Sequence, residues 1–466
     1  MTTEFLKPAP SDYKWPRCPE ADAFMEKNIS AFLTRHAFAR RLSERMKTET
    51  STLFSVWVDH ILLPARQVSP EELKRLGFWE DTTAKRPAGM KIYYHPYADL
   101  PRLLVGARIK EAGCAIMVDD LWRFQMTHGL SADSAGAPYS SYRFIRLTEG
   151  SAELYVVERR GSLNFVPDTR PRAENYVRCF EAWAARPRLF QSDDQGMKET
   201  LRLARHIAKT VGTGAAATLF LEGERIYWQS RNQAAQIQKA RQDSLGLGWA
   251  NHDHHTFRSS RRHFPMLINT LLAFGFKKRE RYYAGKEAGW GAQIMEQPEA
   301  GLIIFADVDL APEDVAVDFS KVALPDLPKP GTVGLWCALH GESILQAGMH
   351  HLEAKFDFDQ LKRDLSDKQI ETMKPFSDFS FLRQAFTKAE MWPVPEARLA
   401  QLRDKGAVSP EAYEQIKTKG AVGSHMENLQ RREGFKGFNQ RGVSDIISAV
   451  NPELQAVGKR PDQGAA

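Results

Sequence analysis

The sequence predicts an α+β protein built from tandem βαβββ modules, on three observations. Short β-rich runs, each followed by a stretch of helical periodicity and then by further short strands, recur along the chain. The run Val58-Asp59-His60-Ile61-Leu62, with a helix ending at Leu76-Gly77-Phe78, parallels His252-Asp253-His254-His255-Thr256, with a helix ending at Phe274-Gly275-Phe276. A third unit opens on Gly348-Met349-His350-His351-Leu352 and again turns into a helix. This pattern suits paired βαβββ modules whose sheets curl around a shared cavity; it gives the repeat and not the cavity.

In chain order, residues 1–22 carry Pro8, Pro10, Pro16 and Pro19 and read as an arm. Ala23 to Thr48 has helical spacing, with Met25, Ile29, Phe32, Leu42 and Met46 on one face. Ser69-Pro70-Glu71-Glu72 starts a helix, Ser69 as N-cap and Pro70 in the first turn. Strands are expected at Met90–His95, Arg102–Val105, Ala115–Val118, Tyr142–Leu147 and Ala152–Glu158, and residues 23–175 read as a degenerate first module. Residues 176–247 read as a helical connection with a β-like insertion at Ala217–Trp228. Residues 248–324 form one metal-site module, Pro325–Gly331 a linker, and residues 332–452 a second such module. In that last module Leu345–Phe356 and Val422–Leu429 are expected as strands, Phe358–Met373 and Val443–Val450 as helices. Residues 453–466 read as a disordered tail.

Composition narrows the function classes. The 466 residues suffice for two to four domains, and 42% hydrophobic with 26% charged residues is ordinary for a globular protein. A net charge of +6, with both signs interspersed, gives little support for nucleic-acid binding. Cys18, Cys114, Cys179 and Cys337 form no CxxC pair, against both a zinc ribbon and a disulfide framework. No apolar run reaches the length of a membrane span, and Met1–Lys14 lacks the apolar core of a signal peptide. The expected location is the cytoplasm.

The chemistry concentrates in Asn251-His252-Asp253-His254-His255-Thr256-Phe257-Arg258. On a regular strand residues i and i+2 share a face, so His252 and His254 are expected on one side and His255 on the other. His351 holds the matching place in the third unit, with His350 turned away. Two inward histidines and one carboxylate make a set that holds Fe(II) with open positions. Glu427 is ranked first as the carboxylate, with Glu296 and Glu433 as rivals. Arg258 offers a planar, bidentate grip for a carboxylate. Asp253 and Asp59 read equally as orienting groups or as strand-edge residues. Trp290 and Trp336 read as core or pocket wall. Gly212-Thr213-Gly214 follows a helical pattern rather than a strand, so it is discounted as a dinucleotide loop.

Residues 250–452 resemble the 2-oxoadipate dioxygenase/decarboxylase family, which is similar in fold to the vicinal oxygen chelate superfamily. Three blocks carry the likeness: Asp253-His254-His255-Thr256-Phe257-Arg258-Ser259, then His350-His351-Leu352, then Gly423-Ser424-His425-Met426-Glu427-Asn428-Leu429 with Gly434-Phe435-Lys436-Gly437-Phe438 and Ser444-Asp445-Ile446-Ile447. The resemblance implies iron on His254, His351 and Glu427, a substrate carboxylate on Arg258, and Fe(II)-dependent, oxygen-consuming decarboxylation of a small 2-oxo acid within lysine catabolism. His350, where Asn is usual, and Glu353-Ala354-Lys355, in place of a Thr-rich segment, depart from the pattern and bear on the substrate. The alternatives are a ring-cleaving dioxygenase or glyoxalase-type isomerase on the same scaffold, or a metal-free binding protein. Asp59-His60 resembles the same opening, but Pro64 replaces the Arg and no second His and Glu accompany it.

Overall fold

Two curved sheets carry the chain, and each begins on an Asp-His strand. The computed structural model describes residues 14–439 and 442. Two helices lead in, α1 (Pro19–Arg35) and α2 (Ala37–Thr50). The single helix expected over Ala23–Thr48 is broken at His36, whose backbone is extended and whose ring accepts a hydrogen bond from the Ala39 amide. Helical periodicity continues through such a break because both pieces pack one face on the same core.

The first sheet comprises β1 (Val58–Pro64), α3 (Pro70–Arg75), β2 (Trp79–Asp81), β3 (Met90–Tyr94), β4 (Arg102–Gly106), β5 (Gly113–Met117), α4 (Leu121–His128), β6 (Tyr142–Glu149) and β7 (Ala152–Arg159). Its order is β2-β3-β4-β1-β5-β7-β6. β1 runs parallel to β4, β5 runs parallel to β7, and β1 and β5 meet antiparallel. This is one βαβββ unit joined edge to edge to a second that is one strand shorter.

Four helices follow: α5 (Ala173–Ala184), α6 (Asp193–Val211), α7 (Thr213–Gln229) and α8 (Gln233–Asp243). The β-like insertion expected at Ala217–Trp228 is therefore helix. α7 is enclosed on several sides, with Ala216, Leu219, Phe220, Leu221 and Trp228 all buried. A helix apolar around most of its circumference loses the 3.6-residue alternation and resembles a buried strand in sequence.

The second sheet repeats the first: β8 (His252–Arg258), α9 (Phe264–Ala273), β9 (Lys277–Tyr283), β10 (Trp290–Gln297) and β11 (Leu302–Asp309), then, beyond α10 (Thr332–His340), β12 (His351–Lys355), α11 (Phe358–Ser366), β13 (Ser377–Phe379) and β14 (Leu382–Phe386). A small excursion of β15 (Met391–Trp392), α12 (Glu396–Asp404), α13 (Pro410–Lys419) and β16 (Ala421–Val422) precedes β17 (His425–Arg431). The order is β13-β14-β17-β12-β8-β11-β10-β9. β8 parallels β11, β12 parallels β17, and β8 and β12 meet antiparallel at the centre. The fold is thus α+β with tandem βαβββ modules. The expected helix Val443–Val450 and the tail lie outside the described residues.

The largest core lies between α5–α7 and α9 and the outer face of the second sheet, where Phe220 stacks on Phe274 at 4.6 Å and packs on Phe257 of β8 at 5.7 Å. This covering leaves the inner, concave face of the sheet to the site. Before β12, the chain forms no strand over residues 343–347 but an irregular turn, with Leu345 at φ −110°, ψ −110°. The strand expected from Leu345 therefore starts only at His351. Gly348 then turns the chain at φ +76°, close against the Tyr227 ring, where an added Cβ would lie 2.8 Å from the ring.

Candidate metal centre

Two central strands and their neighbours aim the functional side chains. β8 contributes His254, Thr256 and Arg258 to the concave face, β12 contributes His351 and Glu353, and β17 contributes Glu427. Register fixes their meeting: His351 pairs with Thr256 across the antiparallel centre, and Glu353 pairs with Glu427 on the parallel side.

A bulge changes the outcome expected for His252. Leu352 pairs with His255 and Ala354 with His252, so Asp253 and His254 together oppose Glu353. One extra residue in one strand reverses the alternation beyond it. His252 consequently joins His255, ring centroids 5.1 Å apart, and His255 lies 3.2 Å from the Arg225 guanidinium of α7. Both therefore lie on the face of the sheet opposite His254. His350 also faces away, its Nδ1 3.0 Å from the Gly423 carbonyl.

Nε2 of His254 and Nε2 of His351 are 3.4 Å apart. Oε2 of Glu427 is 3.1 Å from His351 Nε2 and 4.0 Å from His254 Nε2. All three residues are buried, and their ligand atoms lie within 4.8 Å of one another. Bonds of roughly 2.1 Å set at right angles separate ligand atoms by about 3 Å, so one ion can reach all three. Imidazole nitrogen and carboxylate oxygen, without thiolate, suit Fe(II). The rivals do not join them. Glu296 lies 4.0 Å from Arg279 and Glu433 lies 3.5 Å from Arg17, both as ion pairs.

Groups around the triad hold it in place. Glu353 Oε2 is 2.6 Å from His254 Nδ1, which turns Nε2 toward His351 and Glu427. Gln384 of β14 donates to Glu353 Oε1 at 2.7 Å and to Glu427 Oε1 at 3.1 Å, leaving Glu427 Oε2 to face the histidines. Burial and the nearby Glu427 charge push the Glu353 carboxyl upward. Burial lowers His254, but the adjoining Glu353 outweighs it and raises the imidazole. His351 is driven well down by burial, which keeps its ring neutral as a ligand must be. Neither Glu353 nor Gln384 was legible as a site residue in sequence. Glu353 was marked in sequence only as part of a segment that departs from the family pattern, and its place two residues after His351 on the same strand was a second signal.

Comparison of the two sheets sorts these supports. Arg159 of β7 grips Asp59 at 2.6 Å, and Arg431 of β17 grips Asp253 at 3.1 Å. The Asp–Arg clamp is therefore common to both halves and braces the sheet. Aligned on the Asp-His pair, the first sheet has Ala115 and Tyr155 where the second has Glu353 and Glu427. Phe165 packs edge-on against His60 at 4.9 Å and fills the space. Among the described residues, no group able to hold a metal includes His60. Glu353, unlike Asp253, is thus specific to the second sheet. Glu353→Gln is expected to weaken Fe(II) or Co(II) binding by about 10- to 100-fold with the fold intact, because the loss of an orienting carboxylate acts through the ligand. Anaerobic metal titration measures it; unchanged affinity would show that Glu353 does not orient His254.

The packing around the two histidines is aromatic. Phe305 packs on His254 at 4.4 Å, Phe386 on His351 at 5.1 Å, and Phe438 on Phe305 at 5.3 Å. Trp290, Ala292, Ile294 and Trp336 belong to the same buried cluster. Arg431 also holds the Phe435 carbonyl at 3.3 Å, tying down the Gly-Phe segment. Arg258 is only 1% exposed, its guanidinium carbon 5.6 Å from the Trp336 ring. Its backbone amide donates to Ser343 Oγ at 2.7 Å, so the irregular turn before β12 also fixes this strand.

No known family profile and no curated protein matches the chain. Among solved structures it is similar to a mutant 4-hydroxymandelate synthase from Streptomyces coelicolor, at 14% identity over 88% of this chain and 99% of that one, with a TM-score of 0.27. A methylmalonyl-CoA epimerase from Mycobacterium tuberculosis is similar at 12% identity over 39% of this chain and 88% of its own, with a TM-score of 0.22. An uncharacterized protein, YdcJ from Shigella flexneri, which includes a DUF1338 domain, is similar at 14% identity over 51% and 73%, with a TM-score of 0.23. Superpositions this loose transfer neither activity nor site; the centre stands on the convergence of its own side chains.

Proposed function

We propose that the chain is an Fe(II)-dependent dioxygenase/decarboxylase that converts a 2-oxo dicarboxylic acid, 2-oxoadipate, and O2 to 2-hydroxyglutarate and CO2. The observation that carries this reading is the meeting of buried His254, His351 and Glu427 within 4.8 Å of one another. Iron held there would supply open coordination positions and redox chemistry with O2. The chain's own residues do the rest. Glu353 and Gln384 hold two ligands in one orientation, Arg258 holds a substrate carboxylate, and Phe305, Phe386 and Phe438 exclude water from the reacting centre. The aromatic packing favours one second reading, a 2-oxo acid with an aromatic side chain.

Oxygen uptake by protein reconstituted anaerobically with Fe(II) tests both. With 2-oxoadipate, uptake with one CO2 per O2 is expected; with phenylpyruvate, little. Uptake with phenylpyruvate alone would replace the dicarboxylate reading by the second. Substrate conversion without oxygen would indicate an isomerase. Full ligand binding after metal removal would indicate a binding protein.

A further inference from the structure

Arg258 and Asp307 stand side by side on β8 and β11, in direct register. Asp307 is 3% exposed. Its nearest cation is Arg258, at 3.9 Å between Nε and Oδ2, too far for a hydrogen bond. Arg258 in turn leaves Nε and Nη2 buried without partners. Two opposite charges removed from water normally close on each other. Here the two stay apart, and the arginine keeps two buried N–H groups without partners beside a buried carboxylate. Asp309, two residues on, is different: it accepts backbone amides of Gly331, Val333 and Gly334 at 2.8–3.0 Å and caps α10.

A second anion beside Arg258 would leave one cation facing two carboxylates. We propose, resting on the function above, that Arg258 and Asp307 together receive the distal carboxyl group of the substrate, and that a dicarboxylate binds with uptake of one proton by Asp307 from solvent. Arg258 then donates to the carboxylate and the protonated Asp307 adds an O–H donor. A 2-oxo acid without the distal carboxyl needs no such proton.

The surroundings permit this. From β8, Asp307 faces Arg258 and His254. The neighbouring β10 presents Ala292, between Trp290 and Ile294. Beside Arg258, α10 places Trp336 and Cys337, whose thiol burial holds well above its usual range. Asp309 is the remaining acid near Arg258. Burial raises the Asp307 carboxyl to about 7, against the lowering pull of Arg258 and His254.

Calorimetric titration of the anaerobic Fe(II) protein from pH 6 to 8.5 tests the proposal, with 2-oxoadipate against 2-oxohexanoate. The expected result is a Kd for 2-oxoadipate that rises about tenfold per pH unit above pH 7, as for one linked proton. 2-Oxohexanoate should show no such slope, and Asp307→Asn should flatten the 2-oxoadipate curve. Equal slopes for the two ligands in the wild type, or a slope that persists in Asp307→Asn, would overturn it while leaving the proposed function standing. Absence of any 2-oxoadipate binding would overturn both. The wild-type comparison decides even if the variant does not fold.

Discussion

Glu427→Ala is expected to reduce oxygen uptake to the uncatalysed background and to prevent stable Fe(II) binding. Among the described residues His254, His351 and Glu427 form one group able to hold an ion, and Glu427 Oε2 lies 3.1 Å from His351 Nε2 as the anionic donor of that set. Two imidazoles alone give a weaker, neutral donor pair for a hard divalent ion. The metal-free variant should nevertheless be at least as stable as metal-free wild type. Burial raises the Glu427 carboxyl, and its charge in turn raises Glu353. Removing one of two neighbouring buried acids relieves repulsion. Thermal unfolding with chelator, beside metal analysis of the reconstituted protein, separates the two effects. Normal metal content with full activity would show that Glu427 is no ligand. A drop in metal-free stability would recast it as a brace.

Glu224→Ala should produce the largest loss of stability. Glu224 is completely buried on α7 and takes Arg186 at 2.7 Å and Arg188 at 2.9 Å. Trp183 Nε1 donates to the same carboxylate at 2.9 Å. Deleting one member of a buried ionic group strands the others, at a cost of about 3–5 kcal/mol. The two arginines also donate to the carbonyls of Ile344 and Leu345, each at 3.0 Å. That irregular turn supports Arg258 through Ser343 and leads into His351. Urea unfolding should therefore show the loss, and metal affinity of the folded fraction should fall with it. Glu224→Gln, which keeps hydrogen bonds without the charge, should lose less. A change below about 1 kcal/mol in Glu224→Ala would mean that the arginines find other partners.

Much of the candidate site could be read before the fold was known, and the reason is local. His254 and His351 stand at equivalent places in repeated strand–helix units, and Glu427 lies on the strand that closes the last unit. Repetition marks equivalent positions without any contact being known. His252 shows the limit of such reasoning. Parity along a strand holds only while pairing is regular, and one bulged residue opposite Glu353 moved His252 to the far face. The α7 segment failed for a related reason, since burial on many sides erases the period that separates helix from strand.

By itself, then, the sequence determined the module type and the order of the units, placed His254 and His351 at matching positions, ranked Glu427 first as their carboxylate, and read the first Asp-His strand as a degenerate copy. Tertiary structure alone decided the rest. Glu353 became the partner of His254 through register, Gln384 reached both carboxylates from β14, and Asp307 came beside Arg258 because β11 runs parallel to β8. These contacts join residues 31 to 99 positions apart. No periodicity links such residues; the physical cause is the pairing of strands, which sequence pattern suggests and only the folded sheet sets in register.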